Sequence, residues 1–257
     1  MNKGNFRRCY YCGLKATSKE HAPPKQLFRY FDCDSITVPS CDAHNGIKSG
    51  RDQAIIHGFF ISLLGYQRNL EPAVHKAILG AKNGFEYTKK AAVKACLIRN
   101  PPVNVQELPK IAYLTKENKI YDWIRQLSAA IIYDAINKYD PSIPWENLRI
   151  FSQNWVPAQS ANGLDLDKTI ELFKKQEKGK VELDDLIWQD GWSAHPKPYP
   201  QDIYRFRFHF GNESIVLRHI FCNRFYWHIW LPNNEHLKNS ILKKIKSGWQ
   251  SAKGDSI

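Results

Sequence analysis

No stretch of this 257-residue sequence is apolar for long enough to cross a bilayer. The most apolar run, Ile55 to Leu64, is too short and carries His57 inside it. The opening Met-Asn-Lys-Gly-Asn-Phe-Arg-Arg leads to Cys9 without the apolar core of a signal peptide. Glycine and proline number 14 each and follow no period, which excludes collagen-like and low-complexity chains. Disorder is excluded from the other side, because 43% hydrophobic and 13% aromatic residues carry too much apolar surface to stay in water. Six cysteines in a chain of this length do not make a disulfide framework, and four of them fall within the first 41 residues. That crowding points to metal ligands in a reducing compartment, so the sequence predicts a soluble cytoplasmic protein.

What the chain has in excess is positive charge. Lys and Arg total 37 against 25 Asp and Glu, a formal charge of +12. Such a balance concentrates polyanions near the surface and suits phosphate backbones. The length fits one large domain or two small ones, with enough chain for a real core.

The pattern divides into three parts. Residues 1–66 read as a cysteine-rich start, a proline-containing loop and a helix opening at Asp42, with Ile47, Ala54, Ile55, Phe59, Ile61 and Leu64 on its apolar face. Residues 67–140 form a helical connector. Within it, 71–100 read as a helical hairpin stopped at Asn100-Pro-Pro102. Thr115 then caps a long helix with the stripe Ile120, Trp123, Ile124, Leu127, Ile131 and Ala135. Residues 141–257 form an α+β domain for target or partner recognition. A short helix is expected over 167–176, and the period then changes to two. Tyr204, Phe206, Phe208 and Phe210 fall on one face, and Arg205, Arg207 and His209 on the other. Strands are expected again over Ser214 to Phe221 and Phe225 to Leu231, followed by a lysine-rich helix. The fold class is therefore α+β, with a C-terminal antiparallel β-meander packed on helices. Trp188, Trp192, Trp227, Trp230 and Trp249 are expected in its core. His195, His209, His219 and His228 share no ligand spacing and receive no role.

The chemistry concentrates near the start. Cys9-Tyr-Tyr-Cys12 and Cys41-Asp-Ala-His44 are two half-sites with two intervening residues each. Three thiolates and an imidazole complete a tetrahedral zinc set with no open position, which defines a structural zinc. Gly13 permits the left-handed turn such a knuckle needs. Cys33 is the spare thiol of the loop, and Cys96 and Cys222 read as small core residues.

Between the half-sites stand Glu20-His21-Ala-Pro23-Pro24-Lys25 and Val38-Pro-Ser-Cys41, and Asn45-Gly-Ile-Lys48 follows at once. The arrangement Cys-x-x-Cys, acid-His-x-x-Pro, Val-Pro-x-Cys-x-x-His-Asn-x-x-Lys resembles the HNH endonuclease family in its zinc-bearing ββα-metal form, over residues 9–52. The resemblance implies a hairpin whose first strand carries the acid and the His, a return strand leading to zinc, and a helix presenting the Asn. It assigns Glu20 to a catalytic Mg2+ or Mn2+, His21 to the general base, and Asn45 either to the same ion through its amide oxygen or to holding the base in orientation. Lys25, Lys48 and Arg51 would touch backbone phosphates. Adjacent residues of a strand face opposite ways, so Glu20 and His21 need a bulge or a strand end to meet at one phosphate.

Three features depart from the pattern. The acid is Glu rather than Asp, the fourth zinc ligand is His44 rather than Cys, and the final helical His has no match. His57 lies about 18 Å beyond Asn45 along an unbroken helix at ~1.5 Å per residue, too far to share one ion. Asp52 is the candidate to hold a metal-bound water. The expected function is a metal-dependent endonuclease that hydrolyses phosphodiester bonds, in DNA ahead of RNA, in restriction or phage defence and with a possible ATPase partner. The alternative is a non-catalytic zinc module that binds nucleic acid or a protein.

Overall fold

A computed structural model of the protein describes residues 7–28, 31–45, 52, 55–56, 117–153, 186–191, 197, 199, 203–221 and 225–249. The expected hairpin of 71–100, its stop at 100–102, the cap Thr115, the helix of 167–176, and residues Trp192, His57, His195, Cys96 and Cys222 lie outside them.

The chain begins with the Cys9–Cys12 knuckle. A two-stranded antiparallel hairpin follows, β1 (Ser18–Ala22) paired with β2 (Ile36–Ser40). A 3-10 turn at Lys25–Phe28 lies in the connection and buries Leu27 and Phe28. Strand β2 runs directly into Cys41, and helix α1 opens at Asp42–Asn45. Asp42, at the start of α1, accepts a 2.6 Å hydrogen bond from the Thr17 hydroxyl. This ties the helix to the entry of β1.

Helix α2 (Glu117–Ile136) is the spine of the molecule. The expected stripe Ile120, Trp123, Ile124, Leu127, Ile131 and Ala135 is buried, and so are Ser128, Ala129, Ala130 and Ile132. Burial on so many sides fits a helix held between layers rather than lying on a surface. Its contacts run to β1 and β2, to the strand Phe225–Pro232 and to the helix Glu235–Lys246.

The second sheet has five strands in the order β3-β7-β6-β5-β4, with neighbouring strands antiparallel. Its centre is the expected meander: β5 (Tyr204–Phe210), β6 (Ser214–Phe221) and β7 (Phe225–Pro232). Two short edge strands escape the sequence pattern, β3 (Ile150–Gln153) and β4 (Gln189–Asp190). Helix α3 (Glu235–Lys246) follows β7, capped by Asn234, which accepts from the Leu237 amide at 3.2 Å. Gly248, at φ 72°, ends it by a left-handed turn. The turn delivers Trp249 into the core, where its ring stacks on Phe208 at 5.7 Å.

The alternation read from the sequence sets the two faces of this sheet. Tyr204, Phe206 and Phe208 are buried and face inward, and register places Leu217, His219, Trp227 and Ile229 on the same side. The expected tryptophan core needs correction. Trp227 and Trp249 are fully buried, but Trp230 lies one residue beyond Ile229 on the opposite, outer face. Trp188 joins that outer face, beside His209 and His228 at ring-centre distances of 5.9 and 6.0 Å.

A side chain from the second sheet's side seals the end of the hairpin. The Tyr199 hydroxyl donates to the Ala22 carbonyl at 2.7 Å and accepts from the Ile36 amide at 2.9 Å. The Tyr199 ring stacks on Phe28 at 4.7 Å.

Candidate metal centre

The knuckle forms because its backbone bonds close on themselves. The Cys9 amide donates to the Leu14 carbonyl at 2.7 Å, and the Gly13 amide to the Cys9 carbonyl at 3.0 Å. Gly13 has a φ of 72°, and a Cβ there would stand 2.5 Å from the Tyr139 ring. Both the turn and the close approach therefore require glycine. Tyr10 donates from its amide to the Pro39 carbonyl at 2.9 Å, which docks the knuckle on β2. From the other side, the amides of His44 and Asn45 both donate to the Cys41 carbonyl at 3.0 Å, turning the chain into α1.

These two turns bring Cys9, Cys12, Cys41 and His44 together, with their ligand atoms all within 4.8 Å of one another. Cys12 Sγ stands 3.7 Å from Cys41 Sγ. His44 Nδ1 is 3.2 Å from Cys41 Sγ and 3.8 Å from Cys9 Sγ. A tetrahedral zinc with bonds of ~2.3 Å to sulfur and ~2.0 Å to nitrogen requires S–S edges near ~3.8 Å and S–N edges near ~3.6 Å. The donor set and its spacing fit zinc as a structural site. Cys33, the spare thiol, is not a member of the group. The Tyr11 ring packs on His44 at 4.9 Å and fixes the imidazole plane.

Protonation in the metal-free cluster is uneven. Burial raises the Cys9 pKa, but the hydrogen bond with His44 and the backbone amides of Cys12, Tyr11 and Cys41 outweigh it and bring the thiol down to about 6. His44 moves the other way, raised first by its bond to Cys9 against the opposing effect of burial. Cys12 is pushed up to about 11 by burial and the neighbouring Cys9 charge. A metal ion held there would displace a firmly held proton at Cys12.

The hairpin places the remaining predicted residues differently. Strand β1 pairs regularly with β2 through Glu20↔Val38, His21↔Thr37 and Ala22↔Ile36, with no bulge to re-aim a side chain. Glu20 turns inward, only 5% exposed, and its Oε2 lies 3.4 Å from the Ser40 hydroxyl. Burial and the Glu20 charge together hold the Tyr10 phenol well above its usual range, with smaller effects from Cys9 and Asp52. Asp52, itself buried, thus acts on the same phenol as Glu20.

His21 turns outward and is half-buried. Its pKa is lowered below 6.5 by burial first and by the Lys25 charge second, with Glu20 opposing. Lys25 is exposed in the 3-10 turn. Asn45 reaches back to β1, its Nδ2 donating to Ser18 Oγ at 2.9 Å and to the Lys19 carbonyl at 3.2 Å. The structure thus joins Asn45 to the strand that carries Glu20 and His21, but it does not turn those two to one face. Lys48 and Arg51 lie outside the described residues.

Spacing gives His219 and His228 no role, yet both are buried and hydrogen-bonded within the sheet. His219 receives the Tyr204 hydroxyl proton at Nδ1, 2.9 Å away, and its Nε2 lies 2.8 Å from Ser128 Oγ. Ser128 spends its own proton on the Ile124 carbonyl at 2.8 Å, so His219 is neutral with its proton on Nε2. Burial takes its pKa down to about 3. His228 Nε2 accepts from Arg218 Nε at 2.8 Å. Only the inward parity of His219, shared with Leu217 and Phe221, marked it as a core residue in the sequence.

Among the described residues, no helix is long and apolar enough to cross a membrane. No family model matches the chain, and no curated protein or solved structure is detectably similar to it.

Proposed function

We propose that the N-terminal hairpin is a zinc-pinned phosphodiesterase module of the HNH kind, acting on DNA ahead of RNA, with His21 as its general base. The observation that carries this reading is the bond from Asn45 to the Lys19 carbonyl. It fastens the residue after the zinc ligand His44 to the strand position preceding Glu20-His21, so the zinc cluster sets the geometry of the motif.

The roles follow from the chemistry of the side chains. Burial and Lys25 keep the His21 imidazole unprotonated at neutral pH, the form that takes a proton from an attacking water. His21 and Lys25 are both accessible, so one region of the hairpin offers a base and a cation to a phosphate. Glu20 supplies a carboxylate and Asn45 an amide oxygen to a hard cation such as Mg2+ or Mn2+, which tolerates few protein ligands when substrate phosphate completes its shell. When bound, that cation would neutralise charge on the phosphate and on the departing oxygen. Glu20 reaches such an ion only from the inner side of β1, beside Tyr10 and Asp52.

The burial of Glu20 favours a second reading, in which the zinc module is structural and binds nucleic acid or a partner without cutting it. Relaxation of supercoiled plasmid in Mg2+ or Mn2+, by the wild type and by His21→Ala, separates the two. Nicking that His21→Ala abolishes while zinc stays bound supports the enzyme. Binding without nicking of DNA or RNA supports the second reading.

A further inference from the structure

Residues 197 and 199 of the C-terminal half are tied to the hairpin that carries His21. The Asp34 amide donates to the Lys197 carbonyl at 3.2 Å. Lys197 Nζ lies 3.1 Å from both carboxylate oxygens of Asp32. That ion pair is exposed, so solvent screens it and it holds the segment weakly. The firm contact is the Tyr199 hydroxyl, bonded to the Ala22 carbonyl and the Ile36 amide. All three of those residues are buried.

Ala22 and Ile36 form the last pair of the hairpin, directly beyond His21↔Thr37. Pro23 and Pro24 follow, and neither has an N–H to carry the ladder further. The strand end beside His21 is therefore held by a side chain from another part of the chain. Tyr199 grips the other side of His21 as well. Its ring stacks on Phe28 at 4.7 Å, with 9° between the planes. Phe28 closes the 3-10 turn that Lys25 opens. Tyr199 thus holds both the residue next to His21 and the turn that carries Lys25. The influences that lower the His21 pKa, burial first and the Lys25 charge second, depend on that placement, with the Glu20 charge opposing them.

We propose that Tyr199 is the positioning residue for His21, setting through the Ala22 carbonyl and the Phe28 ring where the imidazole stands relative to Lys25. The C-terminal half of the chain then completes the site rather than only accompanying it. The role of His21 as a base rests on the nuclease reading; its placement by Tyr199 does not.

The test follows the His21 ring through a pH titration by NMR in the full zinc-loaded chain, beside hydrogen exchange of the Ile36 amide. Tyr199→Phe removes the hydroxyl and keeps the ring on Phe28. Its Ile36 amide is expected to exchange about tenfold faster or more, and its His21 titration to move upward toward 6.5. Tyr204→Phe is the control, because it deletes a buried hydroxyl bonded to His219 instead. It is expected to move neither readout. If Tyr199→Phe does not fold, Phe28→Leu keeps the hydroxyl and loosens the turn of Lys25. It is expected to raise the His21 titration while Ile36 stays protected. Nicking by Tyr199→Phe should shift its pH midpoint by as much as the His21 titration, with kcat lowered and KM unchanged. A His21 titration that matches the wild type, even with faster Ile36 exchange, would reduce Tyr199 to a structural contact and overturn the assignment. Equal shifts in Tyr204→Phe would overturn it too. The expected shifts in a chain that nicks nothing would leave it standing and remove only the nuclease reading.

Discussion

The Tyr199 hydroxyl stands between the Ala22 carbonyl and the Ile36 amide, donating to one at 2.7 Å and accepting from the other at 2.9 Å. One side chain from a distant segment thus completes the last pair of the hairpin, one residue beyond His21. Burial raises the phenol's pKa well above its usual value, so it remains a donor at any physiological pH. Tyr199→Phe keeps the ring on Phe28 but leaves a buried amide and carbonyl without this partner. A loss of about 1–3 kcal/mol in urea unfolding is expected. Unchanged stability would show that the hairpin end closes by itself.

Zinc should be present at one per chain and held by four side chains. Cys12→Ser and His44→Ala are each expected to lower zinc affinity severely, read by chelator competition. Cys33→Ser is expected to leave zinc binding intact. Affinity should rise with pH, because Cys12, near 11 without metal, must lose its proton on binding. A pH-independent affinity would mean that Cys12 is not a ligand.

Acid should weaken the fold through His219. Its folded pKa, about 3, lies below the 6.5 of an exposed imidazole, so the unfolded chain binds the proton first as pH falls. Its contribution is whole above about 6.5 and is lost between there and about 3, at up to ~1.4 kcal/mol per pH unit. Unfolding titrations of wild type and His219→Gln should differ in slope across that window. Nitrogen-detected spectra should show the Nε2–H tautomer of His219 unchanged at pH 5.

Gly13→Ala combines a left-handed backbone with a clash against the Tyr139 ring, 2.5 Å from the new Cβ. The backbone conformation alone costs about 1–2 kcal/mol. Weaker zinc retention and a lower melting temperature are expected together. A variant that melts lower yet keeps its zinc would confine the effect to Tyr139.

Legibility in the sequence followed the range of the interactions. The period of two between Tyr204 and Phe210 and the stripe from Ile120 to Ala135 are local patterns imposed by one buried face, and both stand in the structure. The cluster of Cys9, Cys12, Cys41 and His44 was legible because its two half-sites carry their own turn geometry. Strands β3 and β4 were not, since four and two residues carry no period and exist only through pairing with β7 and β5. The inward turn of Glu20 follows from simple alternation on a regular strand, and only the coordinates could exclude a bulge. Tyr199 was invisible because its partners lie 163 and 177 residues away. The histidines of the second sheet lack metal-ligand spacing, and His219 works instead through a hydroxyl on another element.

The most direct test of the nuclease reading is the pH dependence of plasmid nicking by the zinc-loaded chain in Mg2+ or Mn2+. The rate should rise with pH to a plateau, with an apparent pKa below 6.5 set by the burial of His21 and the charge on Lys25. His21→Ala should lose that activity with its zinc intact, and Lys25→Ala should move the midpoint upward. No cleavage of DNA or RNA at any pH, or nicking that persists in His21→Ala, would contradict His21 as the base.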